Sequence, residues 1–142
     1  MEKNFYTHRI AVNAYLIEKD KFLLLKRNKA PFIWSPPGGR LLKDEDPVKG
    51  LQREVKEETN LEIEVIAPVN TWFGNWEGWP LLSIDYLAKV TSGELQLSSE
   101  HSEAIWVTID DLNHGSPAQL DPNIGFKIED FMKAQNLSRL FL

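Results

Sequence analysis

An α/β (α+β) layered sandwich around a mixed sheet is the fold class predicted for this 142-residue chain, on three observations. Several segments carry apolar residues at every second position, the period of a strand. Two Asp-Pro pairs, Asp46-Pro47 and Asp121-Pro122, precede apolar residues at helical spacing; Asp caps free N–H groups and Pro suits the first helical position. Several strands follow one another directly, which calls for a mixed rather than an all-parallel sheet.

In chain order, residues 9–17 (RIAVNAYLI) place Ile10, Val12, Ala14 and Leu16 at period two and predict a first strand. Lys19-Asp20 is a polar turn, and KFLLLKR (21–27) reads as a second, more fully buried strand that completes a hairpin. Residues 28–46 are rich in Pro and Gly and predict irregular chain. A helix is expected from Pro47 to about Thr59, with Val48, Leu51 and Val55 as its buried stripe. Asn60 then stands where a residue of positive φ ends a helix. LEIEVIAPV (61–69), LLSIDYLAKV (81–90) and EAIWVTI (103–109) read as further strands, while TWFGNWEGWP (71–80) breaks the alternation. A second helix is expected after Asp121-Pro122, with Ile124, Ile128, Phe131 and Met132 on its apolar face and an end near Asn136. With no repeat, low-complexity tract or linker-like composition, residues 1–142 are expected to form one domain.

The chain has no cysteine, which excludes thiol catalysis and Cys-ligated zinc and suits a reducing, cytoplasmic location. The N-terminal MEKNFYTHRI lacks the apolar stretch of a signal peptide, and no segment approaches about 18 uncharged apolar residues, so no membrane span is expected. Lys and Arg total 16 against 21 Asp and Glu, a formal charge of −5. An acidic surface argues against a nucleic-acid polymer as partner; a small phosphorylated ligand held locally by a metal is compatible with it.

Chemistry concentrates in REVKEETN, residues 53–60. At 3.6 residues per turn, Glu54 and Glu58 lie nearly above one another with Glu57 one step aside, beside the apolar stripe rather than opposite it. Carboxylates crowded at the edge of a packed face stay ionised only with a cation beside them; otherwise one holds a proton. Hard oxygen ligands in this number suit Mg²⁺ or Mn²⁺. Taken alone, such a run is more often an ordinary solvated helix face, with Lys49, Arg53 and Lys56 as surface pairing partners.

The surroundings are more specific. Gly39 is followed by five residues and Glu45, then seven residues and Arg53-Glu54, aliphatic Val55, Lys56, Glu57-Glu58, Thr59, Asn60 and aliphatic Leu61. This resembles the signature of the Nudix hydrolases at every fixed position except the last Gly, which is Asn60 here. The preceding hairpin, the approach from Trp34 to Gly39, and Glu100 to Val107 resemble the same family. Asn tolerates the left-handed conformation better than most side chains, so the departure implies an intact site.

The resemblance implies an α/β/α sandwich with a mixed central sheet. It also implies divalent-metal-dependent cleavage, by water attack on phosphorus, of the pyrophosphate linkage in a nucleoside diphosphate joined to a group X. ADP-ribose or a nucleoside triphosphate is favoured over a dinucleoside polyphosphate, and a non-hydrolytic nucleotide sensor is the rival from another class. By similarity, Glu54, Glu57 and Glu58 are metal ligands, one of them able to act as general base, and the Gly38 carbonyl is a further ligand. Arg53 orients a carboxylate of the motif. Glu45 either pairs with Arg53, reaches the metal through water, or simply suits the helix dipole. A further acid comes from SSEHSEAIW, with Glu100 preferred to Glu103; His101 between them reads as a solvated loop residue. Arg27 is the preferred phosphate contact and Arg40 another nearby cation. Trp72 and Trp76 either stack on a base or pack in the core or a dimer contact, while Trp34 reads as packing. A homodimer is among the expectations, since many relatives are dimers.

Overall fold

The structure, a computed structural model, describes residues 5–123 and 125–142; the first four residues and Ile124 of the expected second helix lie outside them. Strand β1 (Arg9–Glu18) is the spine of a seven-stranded sheet. It is followed by β2 (Lys21–Arg27), the short β3 (Trp34–Ser35) and β4 (Gly38–Arg40), helix α1 (Pro47–Thr59), the long β5 (Glu62–Trp76) and β6 (Trp79–Ser92), β7 (His101–Val107), α2 (Ile109–His114) and α3 (Ile128–Phe141). The strand order is β3-β2-β1-β6-β5, with β4 paired to β1 and β7 to β2. β1 runs parallel to β6, from Arg9 beside Leu81 to Leu16 beside Ala88, and antiparallel to β2 and β4. The sheet is therefore mixed. The parallel pair needs a crossover, and α1 lies within it.

β1 is buried on both faces. Val12, Ala14 and Leu16 pack with Leu51 and Val55 of α1 in one core. Tyr15 and Ile17, the alternate positions, pack with Phe131 and Ala134 of α3 in the other. Two cores separated by one sheet make the α/β/α sandwich, and each fully buried Leu, Val or Phe contributes roughly 1.5–3 kcal/mol.

α1 matches its expected span. The Asp46 carboxylate accepts the Lys49 N–H at 3.0 Å, Pro47 opens the helix, and Asn60 ends it at φ 65° with its N–H donating to the Lys56 carbonyl at 2.9 Å. The stripe differs from expectation: Val48 is 37% exposed, and the third buried position after Leu51 and Val55 is Glu58, 5% exposed. A carboxylate thus occupies a core-facing position of the helix.

Four further expectations are corrected. Residues 71–80 are not a break but the tip of the β5–β6 hairpin, turned by Glu77 and Gly78 at φ 51° and 81°. Two left-handed residues match the twist of a two-residue hairpin, and Glu in place of the usual Asn or Asp disguises the signal. Register shifts between Val65 and Ala67 and between Pro68 and Asn70 further scramble the alternation. Asp121-Pro122 starts no helix: Asp121 accepts the Asn123 N–H at 2.8 Å in a local turn, and α3 begins at Ile128, passes Asn136 and ends at Phe141. On α3, Met132 is 47% exposed, and Phe131 and Ala134 are the buried pair. The last strand ends at Val107, because Thr108 caps α2 in a reciprocal box with Asp111.

Asn60→Gly relieves the left-handed backbone and loses only an exposed side-chain bond to the Glu94 carbonyl at 3.2 Å. Its expected outcome is unchanged or improved stability, with activity retained. Thermal melts beside a turnover assay check it, and a large loss of activity would refute Asn60 as a mere helix stop.

Candidate active site

A cleft of about 1040 Å³ runs along the sheet from the carboxylates of α1, past β4, to the face of β1 and β6 beneath the β5–β6 hairpin. At one end, Arg53 organises the acids. Its Nε and Nη2 donate to the two oxygens of Glu45 at 2.7 and 2.8 Å, and its Nη1 donates to Glu54 at 3.0 Å and Glu57 at 3.2 Å. These bonds, followed by the Leu42 N–H, hold the Glu45 carboxyl down at about 2. Of the alternatives open for Glu45, the pairing with Arg53 is the one the structure contains.

Glu54 is pressed against β4. A Cβ on Gly39 would lie 2.5 Å from the Glu54 carboxyl, so only glycine lets strand and carboxylate approach this closely. Burial raises the Glu54 pKa, and the bond to Arg53 opposes it. Glu58 lies deeper. The Gly38 N–H donates to its Oε1 at 2.8 Å, and Nε2 of His101 is 3.5 Å from its Oε2. Burial first, then the charges of Glu54, Glu100 and Glu57, push the Glu58 carboxyl up to about 8, against the Gly38 bond. Glu57 remains on the rim, its side chain 59% exposed.

Asn28, just past β2, shapes the opposite wall. Its backbone N–H donates to the Glu100 carbonyl at 3.2 Å and its side chain to the Ser99 carbonyl. Glu100 thereby joins the cleft, whereas Glu103 turns away to Lys26 at 3.7 Å. The preference for Glu100 over Glu103 matches this placement. His101 is corrected: it opens β7 with its side chain 8% exposed, and Nδ1 has no partner among the described residues. Burial lowers its pKa, so the imidazole is neutral near pH 7.

One ligand atom from each of Glu58, Glu100 and His101 lies within 4.8 Å of the others. A buried carboxylate with its proton held by like charges, a second carboxylate and an imidazole nitrogen are a donor set that fits a divalent cation. Glu54 and Glu57 are tied to Arg53 instead, so the three motif glutamates are not gathered at one point. Arg27 lies in the cleft with its Cζ 5.7 Å from the Trp76 ring and its Nε unpartnered; Arg40 is exposed on the rim. Trp72 is wedged against Gly125, where a Cβ would meet its ring at 2.7 Å.

Reading the sequence missed Asn13, Ser83 and Asp85, which form the floor of the same cleft. Their signal is the parity of β6: Leu81, Ser83, Asp85 and Leu87 share one face, so two polar residues sit between apolar ones.

A two-core sandwich with an acid-rich helix packed on a two-glycine strand sets a carboxylate-rich cleft on a rigid helix. The sequence matches the NUDIX domain family over residues 7–127, and the chain belongs to that family; it is a Nudix hydrolase. It is 30% identical to a bis(5'-nucleosyl)-tetraphosphatase (asymmetrical) of Caenorhabditis elegans, over 89% of this chain and 86% of that protein. It is 29% identical to an ADP-ribose pyrophosphatase of Methanocaldococcus jannaschii, over 92% and 78%. Among solved structures, an ADP-ribose pyrophosphatase from Streptococcus suis superposes with TM-score 0.72 at 26% identity, covering 94% of this chain and 93% of that one.

The Glu58 shift has a consequence for stability. As pH rises from about 4.5 through about 8, the unfolded chain releases a proton that native Glu58 retains, so metal-free stability falls across that window. Glu45 acts in a separate window, its contribution being lost only as pH falls below about 4.5 toward about 2. A cation beside Glu58 removes the first loss. The melting temperature with Mg²⁺ minus that with chelator is therefore expected to widen from pH 5.5 to pH 8. A difference independent of pH would show that Glu58 does not face the cation.

Proposed function

We propose that this enzyme hydrolyses the pyrophosphate linkage of a nucleoside diphosphate joined to a group X, using Mg²⁺ or Mn²⁺, with ADP-ribose or a nucleoside triphosphate as the first substrates to test. The observation that carries this reading is the excess of carboxylate around Glu58 at one end of a cleft long enough for a nucleotide. The cation supplies charge neutralisation at the phosphate oxygens and activation of water when bound. In this reading Glu58, Glu100 and the Gly38 carbonyl hold it, with Glu54 and Glu57 completing the set once substrate and metal compete with Arg53. Arg53, fixed by Glu45, orients Glu54 and Glu57. Arg27 and Arg40 take phosphate oxygens, and Trp72 and Trp76 flank the nucleoside. The names of the Methanocaldococcus and Streptococcus relatives support ADP-ribose.

A dinucleoside polyphosphate is the second reading, favoured by the 30% identity to the Caenorhabditis tetraphosphatase. We further propose that residues 1–142 act as one domain, in the cytoplasm, on a small molecule rather than a nucleic-acid polymer, with homodimerisation to be tested by sedimentation. Among the described residues, no helix is long and apolar enough to cross a membrane.

Turnover of ADP-ribose, nucleoside triphosphates and dinucleoside polyphosphates, with Mg²⁺ or Mn²⁺ and with chelator, tests the proposal. Metal-dependent release of nucleotide or phosphate from at least one substrate is expected, and none from any would favour a nucleotide sensor. Glu57→Gln is expected to lose turnover by orders of magnitude while melting within a few degrees of wild type, because its partner bond lies on the exposed rim. Unfolding of that variant would return the glutamate run to a structural role.

A further inference from the structure

Asn13 and Asp85 are register partners on β1 and β6, and Ser83 lies two residues from Asp85 on the same face. Asn13 Nδ2 donates to Ser83 Oγ at 2.9 Å and to Asp85 Oδ1 at 2.9 Å, and the Ser83 hydroxyl donates to the same Oδ1 at 2.6 Å. Both amide hydrogens of Asn13 and the one hydroxyl hydrogen of Ser83 are thereby committed. Asp85 is fully buried, at 0% exposure, yet its Oδ2 receives no donor from any described residue. It has no ion pair among them either, and the charge from α3 that reaches it is Asp130, of the same sign. A carboxylate serving only the fold would use both oxygens, since a buried unpaired acceptor is destabilising.

The placement of this oxygen is specific. All three residues line the cleft that holds Glu58 and Gly38, and Gly38 is itself the register partner of Asn13 on β4. Trp72, opposite Ser83 on β5, stands on the same face as an aromatic wall. A nucleotide with its phosphates at the glutamates and its base along the sheet would bring the base edge to this floor. Although burial pushes the Asp85 carboxyl up to about 6, the Ser83 and Asn13 bonds oppose the shift, and the group is an ionised acceptor at neutral pH.

We propose that Asp85 is a specificity-determining residue of the cleft, its Oδ2 accepting an exocyclic amino group of the bound nucleobase while Asn13 and Ser83 hold the carboxylate in place. This rests on the nucleotide reading above and adds to it a requirement for an amino-bearing base. Because Oδ1 is saturated by fixed donors, one N–H donor is the complement, and a base whose edge offers only acceptors is rejected.

Binding of nucleoside monophosphates in chelator, followed by calorimetry, tests this without turnover. Three pairs differ by one amino group: guanosine against inosine, adenosine against purine riboside, and cytidine against its 4-deamino analogue. In wild type, at least one pair is expected to differ by roughly 10- to 100-fold in Kd, the span of a hydrogen bond to a charged group. In Asp85→Asn, which keeps the shape, that gap is expected to fall below about threefold; Ser83→Ala, which frees the carboxylate to turn, is expected to narrow it. No gap in any wild-type pair, no binding at all, or an equal gap in a folded Asp85→Asn overturns the inference. The wild-type comparison decides the matter even where the variant fails to fold. Amino-selective binding without metal-dependent turnover would instead overturn the hydrolytic reading and leave this one standing.

Discussion

One guanidinium is shared by three carboxylates of α1 and its entry loop while a fourth, Glu58, is left outside its reach, and that imbalance governs the rest of the site. Arg53 commits two nitrogens to Glu45 and divides the third between Glu54 and Glu57, leaving Glu58 with a backbone N–H and a neutral imidazole. Like charges about 4 Å apart repel by roughly 4 kcal/mol at the effective dielectric near a protein surface. Glu58 meets the charges of Glu54, Glu100 and Glu57 while shielded from water, so its own charge is tolerated only when a proton or a cation shares the space. The folded chain is in this sense incomplete at the glutamate end of the cleft. A surface cluster of acids would have relaxed into solvent, and this one is prevented from doing so by the packing around it.

That packing explains why the neighbouring elements have their odd shapes. Leu51 and Val55 dock α1 on β1, which turns the next stripe position, Glu58, inward rather than toward water. β4 is three residues long and begins with two glycines because the strand must pass within contact of Glu54 and still offer the Gly38 N–H to Glu58. The Glu45–Arg53 fork anchors the loop that precedes the helix to its middle. A buried Leu or Val contributes roughly 1.5–3 kcal/mol. A few such residues offset the repulsion, and the helix stays seated against electrostatic strain. Stability and reactivity are thus divided between two faces of the same helix.

How much of this was legible in the sequence followed from the range of the interactions. α1 was readable to the residue, because Asp46, Pro47 and Asn60 act locally on the backbone. That Arg53 would hold a carboxylate of the motif was legible through spacing, since one helix and one short loop fix its distance from Glu45, Glu54 and Glu57; that Glu58 lies apart from them was not. Glu100 was only preferred to Glu103 in the sequence, because what separates them is Asn28, 72 residues before Glu100, gripping the loop at Ser99 and Glu100, and Lys26 taking Glu103. His101 read as solvated for the same reason: its burial comes from β2 and α1, not from its neighbours in sequence. The hairpin tip was hidden by bulges in β5, and Asp121-Pro122 looked like a helix start because a local turn uses the same side-chain bond as a cap.

The division of labour along the cleft bears on why the motif alone does not name a substrate. In the proposed function everything in the motif acts at the phosphate end, where any nucleotide offers the same oxygens. Beyond Gly38 the wall changes to β1 and β6, where Ile10, Ala11 and Leu81 give it apolar surface. Asn13, Ser83 and Asp85 interrupt it. Three polar groups on an otherwise apolar face cost stability relative to well-packed aliphatic side chains of similar volume. Two of them are spent wholly on holding the third, and that third keeps one oxygen without a protein donor. Such an arrangement is unfavourable for the fold by itself, and the base donor proposed above would offset it. Both ends of the cleft follow one physical pattern: a buried carboxylate is fixed by rigid neighbours and left short of a positive or donating partner. At the glutamate end the partner we propose is a cation, and on the floor it is a single N–H of the bound base.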